Sequence, residues 1–168
     1  MHALQTNLED EWESSGDRER VSLAMIGGYM LIAFAGSFRG NELFLVDTFG
    51  LLKYAREEHI ERGERFVVIP LLGRYKTENT EGYHLTPLAA RTSSGLEIES
   101  WVKRLAWAKE KQAIYHGPAF SHHQGEILDV RWLELEILDR IAFVQQQRPD
   151  VVRQDIHVHE EYGISRSF

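Results

Sequence analysis

The chain has 168 residues, of which 43% are hydrophobic, no cysteine and a formal net charge of -7. This length and composition fit one globular domain with its own core, and the lack of cysteine excludes disulfides and thiolate metal sites. Nucleic-acid-binding proteins usually carry a basic surface, so the net charge alone argues against that class. The acidic residues are concentrated in segment 9–19 and in the last third, whereas segment 39–111 is roughly balanced. Whole-chain charge therefore says little about any single face.

The longest apolar run, around Met25–Phe34, bears on the membrane question. It is too short to cross a bilayer, and it lacks the charged flank that is typical of a signal peptide. We therefore predict an intracellular protein with no membrane partner.

The first third of the sequence predicts helices. Residues 1–16 are polar and acidic and predict a frayed or peripheral segment, outside the domain expected over 17–168. The apolar run predicts a buried helix over Arg18–Phe34, and the pair Gly27-Gly28 indicates close packing against a neighbour. A second, short helix is predicted over Glu42–Lys53. Its inward side chains are expected to be Leu43, Val46, Phe49 and Leu52.

The middle of the chain changes to a strand-like pattern. The segment RFVVIPLLG, residues 65–73, is β-branched and apolar over the length of a strand, and YHLTPLA, residues 83–89, alternates up to its end. The polar segment RYKTENTEG between them is turn-like. Together they predict a β-hairpin or small antiparallel sheet, with Lys76 near the tip or on the second half of the first strand.

The remainder of the sequence predicts two further helices, over 92–112 and 126–147, each with an apolar stripe. The tryptophans on these helices are expected in the core. The basic side chains of the first helix are expected on a solvated face, with contact to a DNA backbone as the alternative. The fold class is therefore mainly α with a small antiparallel β-hairpin or sheet, α+β. The tryptophans are Trp101, Trp107 and Trp132, and the basic side chains are Lys103, Arg104, Lys109 and Lys111.

The predicted buried stripe of the last helix contains Ile127, Val130, Leu133 or Leu135, Ile137, Leu138 and Ile141. Histidines occur as the neighbours His122 and His123 and as His157 and His159, two residues apart. A zinc site needs three or four converging ligands, and no spacing of this kind is present. We therefore predict no metal and no cofactor.

An arginine follows the first apolar run, in the segment AGSFRGNELFLV, residues 35–46. This segment resembles the first arginine motif of the tyrosine recombinases, in which a helix ends at Thr-Gly-x-Arg and continues x-x-Glu-Leu. Gly36, Arg39, Glu42, Leu43 and Val46 fit the motif, with one extra residue between the glycine and the arginine.

Later segments resemble the same family in the same order. The family places a lysine on a β-hairpin before a strand that ends Val-Pro-Leu, and this chain has Lys76-Thr77 and then Thr86-Pro87-Leu88. The final segment EEYGISRSF is similar to the approach to the second motif, His-x-x-Arg. The resemblance covers residues 20–168 and is closest to a divergent, transposon-derived form.

The resemblance implies DNA strand cleavage and rejoining, used in DNA integration and recombination. Arg39 would clamp the phosphate, since a guanidinium offers a planar fork of donors to the charge that develops there. Glu42 would brace the turn, and Lys76 would be the general acid for the leaving 5′ oxygen. Arg74 and Arg166 would be phosphate contacts. The partner would be duplex DNA, inside the cell and, in a eukaryote, in the nucleus.

The sequence also departs from the family pattern. The second arginine, the following histidine or tryptophan and the nucleophilic tyrosine are all expected after Phe168, and Tyr162 is in the wrong order to be that nucleophile. The chain is thus expected to be a truncated, partial catalytic domain that binds DNA weakly and does not cleave it. The alternative is a non-enzymatic helical interaction module, whose exposed apolar surface would favour self-association or a protein partner.

Overall fold

The computed structural model describes residues 1–72, 83–121 and 127–150. The described helices are α1 (His2–Ser14), α2 (Asp17–Gly36), α3 (Thr48–Tyr54), α4 (Ile98–Lys111) and α5 (Val130–Gln147). The described strands are β1 (His59–Glu61), β2 (Glu64–Leu72) and β3 (Tyr83–Ala89), and a 3-10 helix covers Glu42–Leu45. The prediction of a mainly helical chain with a small antiparallel sheet is confirmed.

Helix α2 is the centre of the fold, and it matches the helix predicted over Arg18–Phe34. Every residue from Leu23 to Ile32 is buried, as expected for a helix that is apolar on all sides. Helix α4 crosses it closely: a Cβ atom on Gly27 would lie 2.2 Å from the ring of Trp101. Gly27 therefore permits the close packing that the glycine pair indicated in the sequence.

The N-terminal segment is not frayed, so that prediction is wrong. Residues His2–Ser14 form α1, and the spacing of Leu4, Leu8 and Trp12 places these three side chains on one face of the helix. Leu4 and Leu8 are buried. The Trp12 ring meets Trp101 edge-on, with 6.2 Å between ring centroids. The segment is rich in acidic residues, but it also contains a regular apolar stripe that packs on the core.

The sheet is antiparallel, with strand order β1-β2-β3. The two predicted strands pair directly, with Phe66 opposite Ala89 and Leu72 opposite Tyr83. The sequence analysis did not predict the short edge strand β1. The predicted hairpin tip at Lys76 lies in segment 73–82, outside the described residues.

The helix predicted over Glu42–Lys53 is interrupted, which corrects that prediction. Between the 3-10 helix and α3 the chain is extended at Val46 and Asp47. There Val46 forms an isolated bridge with Leu71, and the amide of Asp47 donates to the carbonyl of Pro70 at 3.0 Å. The break lets the segment bond to β2. The Asp47 carboxylate then caps α3 by accepting the Gly50 amide at 2.9 Å.

The inward side chains of this region are mostly as predicted. Leu43, Val46 and Leu52 are buried, whereas Phe49 is 52% exposed and stacks on His116. The expectation that Phe49 faces the core is therefore wrong.

The basic side chains of α4 are not all on a solvated face. Lys103 and Lys111 are exposed, but Lys109 is fully buried. Arg104 lies between two tryptophan rings, 4.7 Å from the centroid of Trp12 and 4.5 Å from that of Trp101. The helical period explains the error, because position 109 follows Leu105 by four residues and falls on the apolar stripe.

The tryptophans and the last helix differ from their predictions in detail. Trp101 is fully buried, while Trp107 and Trp132 are half-buried. Helix α5 begins at Val130, later than the predicted residue 126, because Asp129 caps it by accepting the Arg131 amide at 2.9 Å. Its buried residues are Leu133, Ile137, Ile141 and Val144, whereas Val130 and Leu138 are half-buried and Ile127 and Leu135 are exposed.

Within residues 1–72, 83–121 and 127–150, none of the helices combines the length and the apolar character needed to cross a membrane.

Candidate functional site

The turn that carries Arg39 begins with the C-terminal cap of α2. Ser37 adopts the left-handed conformation with a φ of 52°. Its amide donates to the carbonyl of Phe34 at 3.4 Å, and the amide of Phe38 donates to the carbonyl of Ala33 at 3.1 Å. This pair of bonds is a Schellman motif. The Phe38 ring lies over Gly36, where a Cβ atom would come within 2.3 Å of it. The cap therefore requires the glycine that precedes the arginine.

The backbone of Arg39 is held by Glu42. The Arg39 amide donates to Glu42 Oε2 at 2.8 Å, and the Glu42 amide donates back to the Arg39 carbonyl at 2.9 Å. The carboxylate thus accepts from the main chain of Arg39 and forms no ion pair with its guanidinium. These reciprocal bonds fix the path of the turn, and they do not engage the charged end of the arginine.

The guanidinium of Arg39 is exposed and has no hydrogen-bond or ion-pair partner in the described part of the chain. Several other arginines are paired with carboxylates. Arg65 contacts Glu99 at 2.8 Å, and Arg140 contacts Glu11 at 2.9 Å. Arg39 is therefore a charged donor fork on a fixed turn, with its side-chain hydrogen bonds available. A planar fork of this kind binds carboxylate or phosphate oxygens in pairs.

The sheet is joined to the segment that follows this turn. The bridge between Val46 and Leu71 joins the segment after the 3-10 helix to the end of β2. Leu72, the last residue of β2, is two residues before Arg74 and four before Lys76 in the sequence. Arg74 and Lys76 in segment 73–82, and Arg166 in segment 151–168, lie outside the described residues.

Tyr29 lies beneath the turn, and the sequence analysis did not find it. Its ring packs edge-on against Phe120, 5.6 Å between centroids, and tilted against Phe44 at 6.1 Å. Its hydroxyl lies against Gly40, the residue after Arg39. Burial raises the pKa of Tyr29, and the charge of Glu134 adds to the effect, so the phenol stays protonated at neutral pH. No local motif links positions 29 and 40.

Lys109 has a perturbed pKa but does not form an accessible site. Its ammonium donates to the Ser121 carbonyl at 2.7 Å and to the Ser121 hydroxyl at 3.2 Å. Burial lowers the pKa of Lys109 to about 8. A strongly shifted pKa is a hint of function only when the group lies in a cleft, and here both residues are fully buried. We therefore assign Lys109 to the core.

The other surface features of residues 1–72, 83–121 and 127–150 are less suited to bind a ligand. A shallow groove of about 710 Å³ lies near the start of β2 and the end of β3, but its cations Arg65 and Arg91 are paired with Glu99 and Glu97. No group of three or more His, Cys, Asp or Glu side chains within the described residues is placed to hold a metal ion.

Comparisons of the chain with protein-family models, with curated proteins and with solved structures gave no match. The interpretation of the Arg39 turn therefore rests on its own geometry and on the motif order in the sequence.

Proposed function

We propose that this chain is a DNA-binding domain of the tyrosine recombinase type, in which Arg39 contacts a backbone phosphate of duplex DNA. The observation that carries the proposal is a guanidinium without a partner among the described residues, on a turn whose backbone is fixed by Glu42. Arginine contacts to phosphate position a protein on DNA without reading its sequence. A fixed turn reduces the entropy that would be lost when the contact forms.

The order of the elements supports the same proposal. The arginine turn follows the long helix α2, and the paired strands that follow it flank the segment with Lys76. In a recombinase-like reaction Arg39 would stabilise negative charge on the phosphate, and Lys76 would protonate the leaving 5′ oxygen. No residue of this chain is assigned as the nucleophile. DNA binding in support of recombination or integration is thus the activity proposed, in the nucleus if the source is a eukaryote.

We predict that Arg39→Ala weakens binding to duplex DNA about tenfold or more, since a hydrogen-bonded contact to a charged group contributes roughly 1.5–3 kcal/mol. The slope of log K against log salt should also become shallower by about 0.9, because one phosphate contact is lost. Fluorescence anisotropy with a labelled duplex, at salt concentrations from about 50 to 200 mM, measures both quantities.

Arg18→Ala is the matched control for that experiment. Arg18 is exposed, has no side-chain partner among the described residues, and lies at the opposite end of α2, about 30 Å from the turn. Arg18→Ala removes the same charge as Arg39→Ala. Its affinity for DNA and its slope of log K against log salt should nevertheless match those of the wild type. Equal losses in the two variants would show a nonspecific charge effect. An absence of wild-type binding at low salt would reject the proposed function.

The exposed apolar side chains of α5 favour a second candidate, a non-enzymatic interaction module. Leu135 is 52% exposed and Phe143 is 50% exposed on the solvent side of that helix. Apolar groups in such positions suit contact with a second copy or with another protein. Sedimentation velocity distinguishes this candidate, because a monomer at all concentrations would exclude self-association.

A further inference from the structure

The position after Arg39 is in close contact with the core. A Cβ atom on Gly40 would lie 2.8 Å from the hydroxyl oxygen of Tyr29. Among the described residues other than 39–41, that oxygen is the one heavy atom found within 4 Å of the Cβ position. At Gly40 the turn therefore approaches the Tyr29 hydroxyl so closely that a methyl group does not fit between them.

The Tyr29 side chain is not free to withdraw. It is 7% exposed, and its ring is held by Phe44 and by the fully buried Phe120. Its backbone lies within the run of α2 that is buried on all sides. Close-packed interiors transmit such a constraint because their side chains have few alternative positions. The Tyr29 hydroxyl therefore has a fixed position, and Gly40 packs against it.

We infer that Tyr29 is a positioning residue for Arg39: its hydroxyl sets the height of the turn at Gly40 and so directs the guanidinium at the DNA phosphate. The role of this contact in DNA binding rests on the proposed function, whereas its role in placing the turn does not. Tyr29 acts through Gly40 and touches no substrate itself. The contact is one of packing, since the hydroxyl makes no hydrogen bond to any described residue.

The inference predicts a specific pattern in two single variants and their combination. Gly40→Ala adds a methyl group where the hydroxyl lies, so the turn must move. Tyr29→Phe removes that oxygen and keeps the ring in place. The double variant, Tyr29→Phe with Gly40→Ala, puts the methyl group in the vacated space, so the turn should return to its place. A double-mutant cycle isolates this pairwise effect.

Amide hydrogen exchange at Arg39 tests the positioning without DNA. The Arg39 amide is bonded to Glu42, and we expect Gly40→Ala to reduce its protection by about tenfold as that bond opens more often. The double variant should restore the protection, while circular dichroism and melting temperature confirm that all variants are folded. Wild-type protection in Gly40→Ala, or no restoration in the double variant, would overturn the inference.

Binding to duplex DNA then tests the consequence. Gly40→Ala should lower affinity in the wild-type background and have no further effect in the Arg39→Ala background, because it acts through that side chain. A loss of equal size in both backgrounds would overturn the inference. If the exchange pattern is as expected but the wild type binds no DNA, the proposed function fails, and Tyr29 still positions the turn.

Discussion

Gly27→Ala is expected to destabilise the protein by about 2 kcal/mol or more, although alanine is the better helix former by about 1 kcal/mol. The new Cβ would lie 2.2 Å from two atoms of the Trp101 ring. Trp101 is fully buried and also contacts the Trp12 ring, so it has little room to move aside. Helices α2 and α4 would have to separate, and their shared core would be loosened. Urea unfolding followed by circular dichroism measures the change.

Gly28→Ala is the matched control for this prediction. It is the next residue of the same helix, but its Cβ would lie 3.4 Å from Leu105, which is an ordinary contact. We expect it to be neutral or to stabilise the fold by up to about 1 kcal/mol through helix propensity. If Gly27→Ala were as stable as Gly28→Ala, the close approach of α2 to Trp101 would be incorrect.

The free energy of unfolding is expected to rise with pH between about pH 8 and pH 9.5 because Lys109 is buried. Burial lowers the pKa of Lys109 to about 8 in the folded chain, whereas an exposed lysine has a pKa of about 10.4. Between these values the unfolded chain binds more protons than the folded chain, so stability rises with pH, at up to about 1.4 kcal/mol per pH unit. Urea unfolding at a series of pH values measures this slope.

Lys109→Met should flatten this slope, and Lys103→Met, which changes an exposed lysine paired with Glu99, should retain it. The difference in unfolding free energy between Lys109→Met and the wild type at pH 7 is less informative than the slope. Methionine removes the buried charge but leaves the two Ser121 acceptors without a donor, which costs about 1–3 kcal/mol each. Measurements should stop near pH 9.5, since the raised pKa of Tyr29 lowers stability at higher pH. An equal slope in Lys109→Met and the wild type would contradict the burial of the ammonium.

The arginine turn and the sheet were predictable from local sequence. A glycine and a serine directly after an apolar run predict the end of a helix, and Arg39 and Glu42 three residues apart predict a braced turn. The two strands were predictable because a β-branched apolar run and an alternating run flank a polar, turn-like segment. These features depend on residues that are close in the sequence, which is why the pattern contains them.

The misplaced elements depend on long-range contacts. Nothing near Val46 shows that it bridges Leu71 and so interrupts the predicted helix. The contact of Tyr29 with Gly40 joins two elements whose pairing no local pattern records. Lys109 was different, since its four-residue spacing from Leu105 placed it on the apolar stripe. The charge of Lys109 predicts an exposed side chain, whereas its position on the helix predicts a buried one, and the position decides.

The fold connects the stability of the core to the placement of the turn. Helix α2 contacts α4 through Gly27 and supports the turn through Tyr29. The same buried helix therefore fixes both the main helix packing and the height of Arg39. Variants that separate α2 from α4 should for this reason also disturb the turn.

The proposal that Arg39 contacts duplex DNA is tested most directly by mapping the surface of the wild-type protein that DNA binds. Titration of the labelled protein with DNA, followed by backbone amide NMR, reports this residue by residue. The proposed contact of Arg39 with DNA predicts that the largest shifts occur at residues 38–42, with no change at Arg18. An absence of shifts, or shifts confined to the exposed side chains of α5 around Leu135 and Phe143, would contradict it.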